Sequence, residues 1–234
     1  MSEIKEIAIP GSHQFFYNFF KKDLGEHKPK EIRVLDLGAG HGAFSKRLYD
    51  LGYQVYACDL FPEIFQFSEI ECKPADFTKR LPYEDQTFDA IVALEIMEHF
   101  PDHMPIYSEC NRILKSNGKL MISTPNILSL KSRFLFFMTG FYYSFKPIDK
   151  ANPEGLEHVA SITLDQYEYL GYLNGFKTSN IGYDVTQSTS KIIFTIMMPF
   201  IKFYNWRAKI KAHNHNKKNL LFGRKLYVSY RKTN

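Results

Sequence analysis

An α/β fold built on a doubly wound, mostly parallel sheet is predicted for this 234-residue chain by three observations. Short apolar runs alternate with segments of helical periodicity, the pattern of a sheet covered on both faces. The first run, Ile32 to Leu37, passes into a glycine-rich turn and then into apolar residues at helical spacing from Ala43 to Leu51. Asp36, Asp59, Asp76 and Glu95 each close an apolar run, so they converge on one edge of such a sheet, where ligands bind in open α/β folds. The length suits one domain, residues 1–234, with a sizeable core and room for a small lid.

The chain opens with an aromatic-rich segment, Ser12 to Leu24, carrying His13, Phe15, Phe16, Tyr17, Phe19 and Phe20. It reads as a helix that packs on the sheet, with a lid over the ligand entrance as the alternative. The turn that follows the first strand, Gly38-Ala39-Gly40-His41-Gly42, has glycines at alternate positions. Their lack of side chains lets a ligand lie against backbone, and the free N–H groups at the helix start attract anionic groups. Gly38-x-Gly40-x-x-Ala43 also meets the relaxed dinucleotide fingerprint, with Asp59 near the ~20-residue offset of a ribose-binding acid. Against a dinucleotide, Asp36 stands two residues before the first glycine, where a carboxylate can hold a cationic amine.

From Arg33 to Asn126 the chain resembles the class I S-adenosylmethionine-dependent methyltransferases, whose sheet is Rossmann-like. Val34-Leu35-Asp36-Leu37-Gly38-Ala39-Gly40-His41-Gly42 is similar to their first motif, which places Asp36, Gly38, Ala39, Gly40 and Gly42 beside the methionine part of the cofactor. Val55 to Asp59 resembles the second strand, with Asp59 taking the ribose hydroxyls and Leu60 beside it. Pro74-Ala75-Asp76-Phe77 resembles the third, which implies that Asp76 contacts the adenine amine and Phe77 lies along the base. Leu81-Pro82-Tyr83 through Phe88 to Val92 resembles the fourth strand and its approach, and Gly118 to Asn126 the fifth. The resemblance implies S-adenosyl-L-methionine as cofactor, and residues 31–126 as the part that binds it.

Just past the fourth strand stands Glu95-Ile96-Met97-Glu98-His99. If a helical turn begins at Glu95, the i, i+3, i+4 spacing puts Glu95, Glu98 and His99 on one face, where they could hold a divalent metal with one more ligand. His158, in Gly155-Leu156-Glu157-His158-Val159, is the candidate for that ligand. The arrangement resembles two methyltransferase branches, the ubiquinone-biosynthesis O-methyltransferases and the 3′-terminal small-RNA 2′-O-methyltransferases. There the matching residues hold a magnesium-like ion (Mg2+) against the acceptor hydroxyls. Other methyltransferases carry Glu-His at this place without a metal, with the Glu turned to the cofactor, which is the second role open to Glu95. His158 and His99 are the candidate catalytic bases for a hydroxyl acceptor, which must lose a proton. This set favours oxygen over nitrogen as the atom methylated.

Residues 127–162 exceed what a bare core needs and are expected to cap the acceptor pocket; Arg133, Phe134, Phe136, Phe137, Phe141, Tyr142 and Tyr143 surround Gly140 there. Thr163 to Asn174 reads as a helix with Thr163 as N-cap and Gly175 as its stop. Lys177 to Tyr183 and Lys225 to Tyr230 read as an antiparallel pair that brings the sheet to seven strands, the last antiparallel.

Between those strands lies an insertion, residues 185–222, with an apolar run from Ile192 to Ile201 followed by Phe203, Tyr204 and Trp206. Of the 30 Lys and Arg, eleven lie from Val185 onward, where no Asp or Glu occurs; that leaves 19 against all 25 acidic residues before it, so the net +5 divides into +11 and −6. Such asymmetry suggests an anionic partner. One reading is an interfacial membrane helix, kinked at Pro199, that brings the chain to a membrane or a lipid-linked substrate. The other is a buried insertion or dimer contact with a solvated basic end, favoured because surface attachment uses a larger amphipathic face. Nucleic acid is disfavoured by a pI of 8.9 and the lack of an RNA-binding module.

Cys58, Cys72 and Cys110 match no metal spacing and fit reduced thiols. The first residues show no secretory pattern, and no apolar stretch reaches the ~18 residues of a membrane span. A cytoplasmic enzyme is expected, with membrane association open through the basic tail. The expected reaction is methyl transfer to a hydroxyl of a small molecule, sugar or lipid-linked intermediate. N-methylation and RNA 2′-O-methylation are the alternatives within the class. A nicotinamide-dependent oxidoreductase is the alternative outside it, disfavoured because no hydride-transfer set follows the core.

Overall fold

The computed structural model describes residues 4–6, 11–149, 157–209 and 215–233. Seven strands form one sheet in the order β3-β2-β1-β4-β5-β7-β6. They are β1 (Arg33–Leu37), β2 (Gln54–Asp59), β3 (Cys72–Pro74), β4 (Phe88–Leu94), β5 (Leu114–Pro125), β6 (Phe176–Tyr183) and β7 (Lys225–Lys232). β1 to β5 pair in parallel, and β7 runs antiparallel to both β5 and β6. This is the predicted doubly wound α/β sheet with an antiparallel last strand.

Side chains alternate between the two faces of the sheet, as period-two strands require. Leu35, Leu37, Ile91 and Ile122 pack on one side with Tyr107 and Ile113 of α3 (Met104–Ile113) and with Leu164 and Tyr167 of α5 (Leu164–Leu173). Val34, Val55, Val92 and Met121 pack on the other with α1 (Ser12–Leu24) and α2 (Ala43–Asp50). Phe16, Phe19 and Phe20 of α1 are buried there, so the aromatic segment at the start of the chain is core, and Phe16 meets Tyr227 edge-on at 5.2 Å. α5 begins at Thr163 as expected, with the Gln166 side chain accepting from the Thr163 amide at 2.7 Å.

The third strand ends at Pro74, two residues before Asp76. The insertion forms α6 (Ser188–Arg207) and α7 (Lys218–Phe222), and a further helix, α4 (Leu130–Thr139), follows β5. Only Ser190 of α6 is buried, so the expectation of a buried insertion helix does not hold. No helix among the described residues is long and apolar enough to cross a membrane.

The strand order reverses at β1, which has β2 on one side and β4 on the other. The segments leaving the C-terminal ends of β1 and β4 therefore diverge, and the crevice between them is where such sheets hold ligands.

Candidate active site

A cavity of about 430 Å³ opens at that crevice, within the usual range for small-molecule sites. Its floor is the turn after β1. Gly38, Gly40 and Gly42 have φ of +76°, +52° and +85°, backbone that residues with a Cβ adopt at a cost. A Cβ on Gly38 would stand 2.1 Å from Ile96 Cδ1, and one on Gly42 would stand 2.6 Å from the Phe65 ring. The sequence needs glycine at both places for the turn to close under its neighbours.

Two carboxylates hold this turn. Asp59, at the end of β2, accepts from the Gly40 amide at 2.8 Å and from the Phe61 amide at 2.9 Å. Asp36 is buried and accepts from the Ser45 hydroxyl at 2.6 Å. Burial drives the Asp36 carboxyl up to about 7; the Ser45 bond opposes this and the Asp59 charge adds to it. Asp36, Gly38, Ala39, Gly40, Asp59, Leu60, Phe77 and Glu95 all line the cavity, while Gly42 supports it from behind.

Asp76 departs from the expected placement. It is not among the residues lining the cavity. Because β3 stops early, its carboxylate closes a local turn, accepting from the Thr78 amide at 3.0 Å and hydroxyl at 2.7 Å and pairing with Lys79 Nζ at 2.8 Å. Those partners, Lys79 first, lower its pKa to about 2.

The segment after β4 also differs. No α-helical turn begins at Glu95, which has φ of +55°; a single 3-10 turn covers Met97–His99. Glu95 points away from the helical face predicted for it. Its carboxylate accepts from the Ser123 hydroxyl and pairs with the buried Lys225 at 3.0 Å. Glu98 is fully buried, and neither carboxylate oxygen has a hydrogen-bond partner among the described residues. Burial, with the Glu95 charge second, raises its pKa well above the usual carboxylate range.

His158 comes from the far side of the site. Its Nε2 lies 4.0 Å from Glu98 Oε1, and its ring meets that of His99 at 5.0 Å. The amides of Val159 and Ala160 donate to the Glu98 carbonyl at 2.9 and 3.0 Å, which docks this strand of chain on the 3-10 turn. His99 Nδ1 lies 3.2 Å from the Glu157 carbonyl, an arrangement that leaves Nε2 for a ligand. One ligand atom from each of Glu98, His99 and His158 falls within 4.8 Å of the others, a set that could hold a metal ion. Glu95 is not part of it. Burial, then His99, lowers the pKa of His158, which favours its neutral form.

Of residues 127–162, Ser144 and His158 line the cavity among the described residues, and the aromatic side chains of α4 do not. Gly155 and Leu156 of the His158 motif lie outside the described residues, as do residues 150–154. His13, Arg224 and Lys225 line the cavity without having been anticipated. His13 is held neutral: burial, then Arg47 and Lys225, lower its pKa to about 4. Arg224 is spoken for by Asp184 at 2.6 Å. The register that pairs Lys225 with Pro125 explains why both basic residues arrive here. An antiparallel strand begins where its parallel neighbours end, so the first residues of β7 reach the ligand edge.

A glycine-floored cavity at the switch point, flanked by acids on β1 and β2, is the arrangement of a cofactor-binding α/β domain. Residues 35–122 match the family described as "Methyltransferase domain". Residues 35–122 thus carry a methyltransferase domain, on a fold shared with solved S-adenosylmethionine-dependent methyltransferases. The chain is 32% identical over 135 residues to the ubiquinone biosynthesis O-methyltransferase of Xanthomonas oryzae pv. oryzae, a match covering 54% of each chain. The chain thus spans about half the length of the curated relatives it matches. Its fold is shared with a SAM-dependent methyltransferase from Archaeoglobus fulgidus, at TM-score 0.63 and 17% identity over 95% of both chains. It is shared too with Haemonchus contortus phosphoethanolamine N-methyltransferase 2 in complex with S-adenosyl-L-methionine, at TM-score 0.60 and 18% identity over 98% of this chain and 54% of that one.

Proposed function

We propose that the chain transfers the methyl group of S-adenosylmethionine to a hydroxyl of a small molecule, sugar or lipid-linked intermediate. The observation that carries the oxygen acceptor is the cluster of Glu98, His99 and His158 in the same cavity as the glycine turn. The similarity to O-methyltransferases of ubiquinone biosynthesis supports the same reading.

In this reading the cofactor lies along the turn. Asp36 and the Gly38-to-Gly42 backbone meet its methionine end, Asp59 with Leu60 meets the ribose, and Phe77 lies along the adenine. The second lone pairs of the Asp59 oxygens remain available to hydroxyl donors. The acceptor oxygen attacks the methyl carbon, the carbon–sulfur bond breaks, and its electron pair stays on sulfur as a neutral thioether. Holding the two groups in line supplies up to ~7–11 kcal/mol of the barrier. The hydroxyl proton passes to His158, whose lowered pKa favours the neutral form able to accept it. His99, anchored at Nδ1, is the second candidate base.

Glu98, His99 and His158 would also serve as ligands for a divalent ion, which would lower the pKa of the acceptor hydroxyl. One carboxylate and two imidazoles suit a nitrogen-accepting ion better than magnesium, which prefers an all-oxygen shell. The orphaned, buried Glu98 carboxylate is the feature that asks for such a partner.

Two measurements test the proposal. Calorimetry is expected to show S-adenosylmethionine binding and no NAD binding; the reverse would remove the class of reaction. Labelled-methyl transfer to a panel of phenols, catechols, sugars and amines is expected to favour hydroxyl acceptors. Exclusive methylation of amines would overturn the role given to His158.

A further inference from the structure

α6 is apolar around most of its circumference, yet the body covers only one side of it. Ser190, Phe194, Met198 and Ile201 share the inner side. There the Ser190 hydroxyl accepts from the Lys131 amide at 3.1 Å, and the Phe194 ring meets Phe222 of α7 at 5.1 Å. On the outer side Ile192, Ile196, Phe200, Phe203 and Trp206 recur at helical spacing, each 63–74% exposed. α4 packs beside α6 and adds exposed apolar side chains of its own, Phe137 at 83% and Met138 at 63%. A helix apolar all round is ordinarily buried, and large exposed apolar surfaces mark contact sites.

The charge around this face limits what can cover it. α6 carries Lys191, Lys202 and Arg207, α4 carries Lys131 and Arg133, and neither helix contains an acid. Lys191 and Lys202 are exposed and fall along one flank of the outer stripe, and exposed Lys209 follows just past the helix end. Two copies meeting through this face would bring two wholly basic stretches together, which works against self-association. An anionic surface with an apolar interior matches both features, with aromatic and aliphatic side chains inward and Lys and Arg at the headgroups. The absence of a spanning helix among the described residues leaves α6 lying in the plane of that surface.

We infer that the face formed by α4 and α6 seats the protein on an anionic lipid membrane. Chain connectivity ties this seat to the cavity: Pro125 and Ser144, on either side of α4, line it, and so do Arg224 and Lys225, just after α7. Insofar as the methyl-transfer reading holds, the acceptor class this arrangement favours is a lipid-linked hydroxyl delivered from the bilayer.

The chain has a single tryptophan, so Trp206 alone reports on the seat. The experiment uses the full chain with vesicles of equimolar phosphatidylglycerol and phosphatidylcholine, or of phosphatidylcholine alone, with neither cofactor nor acceptor present. With the anionic vesicles at about 0.1 M salt, Trp206 emission is expected to shift to the blue and the protein to co-sediment; both effects fall several-fold at about 1 M salt, where screening shortens to ~3 Å. The double variant Phe200→Glu, Phe203→Glu is expected to lose at least about tenfold in binding, given the area each ring would bury. Its circular dichroism and melting should be unchanged, since both rings are about two-thirds exposed. Equal, salt-insensitive binding to both vesicles, binding unaffected by the double variant, or no binding at all would overturn the inference. A blue shift that depends on protein concentration without vesicles, with a dimer in light scattering, would overturn it in favour of a second copy. S-adenosylmethionine calorimetry on the same protein keeps a failed seat distinct from a failed enzyme.

Discussion

The Ser45 hydroxyl donates to the buried Asp36 carboxylate at 2.6 Å, tying the end of β1 to the first turn of α2 across the glycine turn. This bond lowers the pKa of Asp36, but burial outweighs it and carries the group to about 7. The ligand-free site therefore holds a carboxyl that changes charge near neutrality.

The sign of the consequence follows from linkage. The folded pKa of Asp36, about 7, exceeds its unfolded value near 3.9, so the folded state binds more protons between them. The stability this confers is complete below about pH 4 and is lost as pH rises through 7. In urea titrations of the ligand-free protein, Asp36→Asn is expected to flatten this dependence, changing the pH 5-to-8 difference by at most about 3 kcal/mol. Parallel curves for the two proteins would show that Asp36 does not titrate as a buried acid. Affinity for the cationic cofactor is expected to rise over the same interval in the parent and not in the variant.

Gly38 and Gly140 separate backbone strain from close approach. Their φ values are +76° and +77°, but a Cβ on Gly38 would strike Ile96 at 2.1 Å whereas one on Gly140 would meet nothing within 4 Å. Both alanine variants incur the left-handed penalty of about 1–2 kcal/mol, and Gly38→Ala adds overpacking of about 1–3 kcal/mol. Cofactor affinity is expected to fall by about tenfold or more in Gly38→Ala alone. Equal stability losses in denaturant would mean that Ile96 moves aside freely.

Glu98→Gln keeps the shape of a fully buried side chain and removes its acid. Because Glu98 lacks a hydrogen-bond partner among the described residues, folding stability is expected to hold or rise. Cofactor affinity is expected to stay within about threefold, while single-turnover methyl transfer falls by ~10²-fold or more, the size of general-base or metal assistance. Undiminished transfer would show that the cluster does not serve the reaction.

The alternation that made the sheet readable is local: each strand announces itself by a short apolar run, and α1 by its aromatic spacing. What the sequence hid depends on distant partners. Glu95 reads as the start of a helical face, but Ser123 and Lys225 draw its carboxylate aside and the backbone turns left-handed. His158 could be nominated by residue type; only the docking of Val159 and Ala160 on the Glu98 carbonyl brings it within reach. Arg224 and Lys225 looked like part of a basic tail, although an antiparallel last strand predicts that its first residues reach the ligand edge. The apolar character of α6 was plain, but which of its two apolar sides finds a partner is decided by the rest of the fold.

Asp76 and Phe77, neighbours in sequence, are expected to matter unequally. Phe77 is buried, lines the cavity and meets Phe100 edge-on at 5.8 Å, so it offers a fixed apolar wall to a flat base. Asp76 is engaged by Thr78 and Lys79, which stabilise its ionised form in a turn beside the cavity. Freeing it for a ligand would break that turn. Asp76→Ala is therefore expected to change S-adenosylmethionine affinity by less than about twofold. Phe77→Leu, which keeps an apolar side chain but loses the ring, is expected to weaken it about fivefold, the size of a ring–ring contact. Calorimetry on both variants makes the comparison. A larger loss in Asp76→Ala would mean that the turn opens on binding and hands its carboxylate to the adenine amine, as the family resemblance implies.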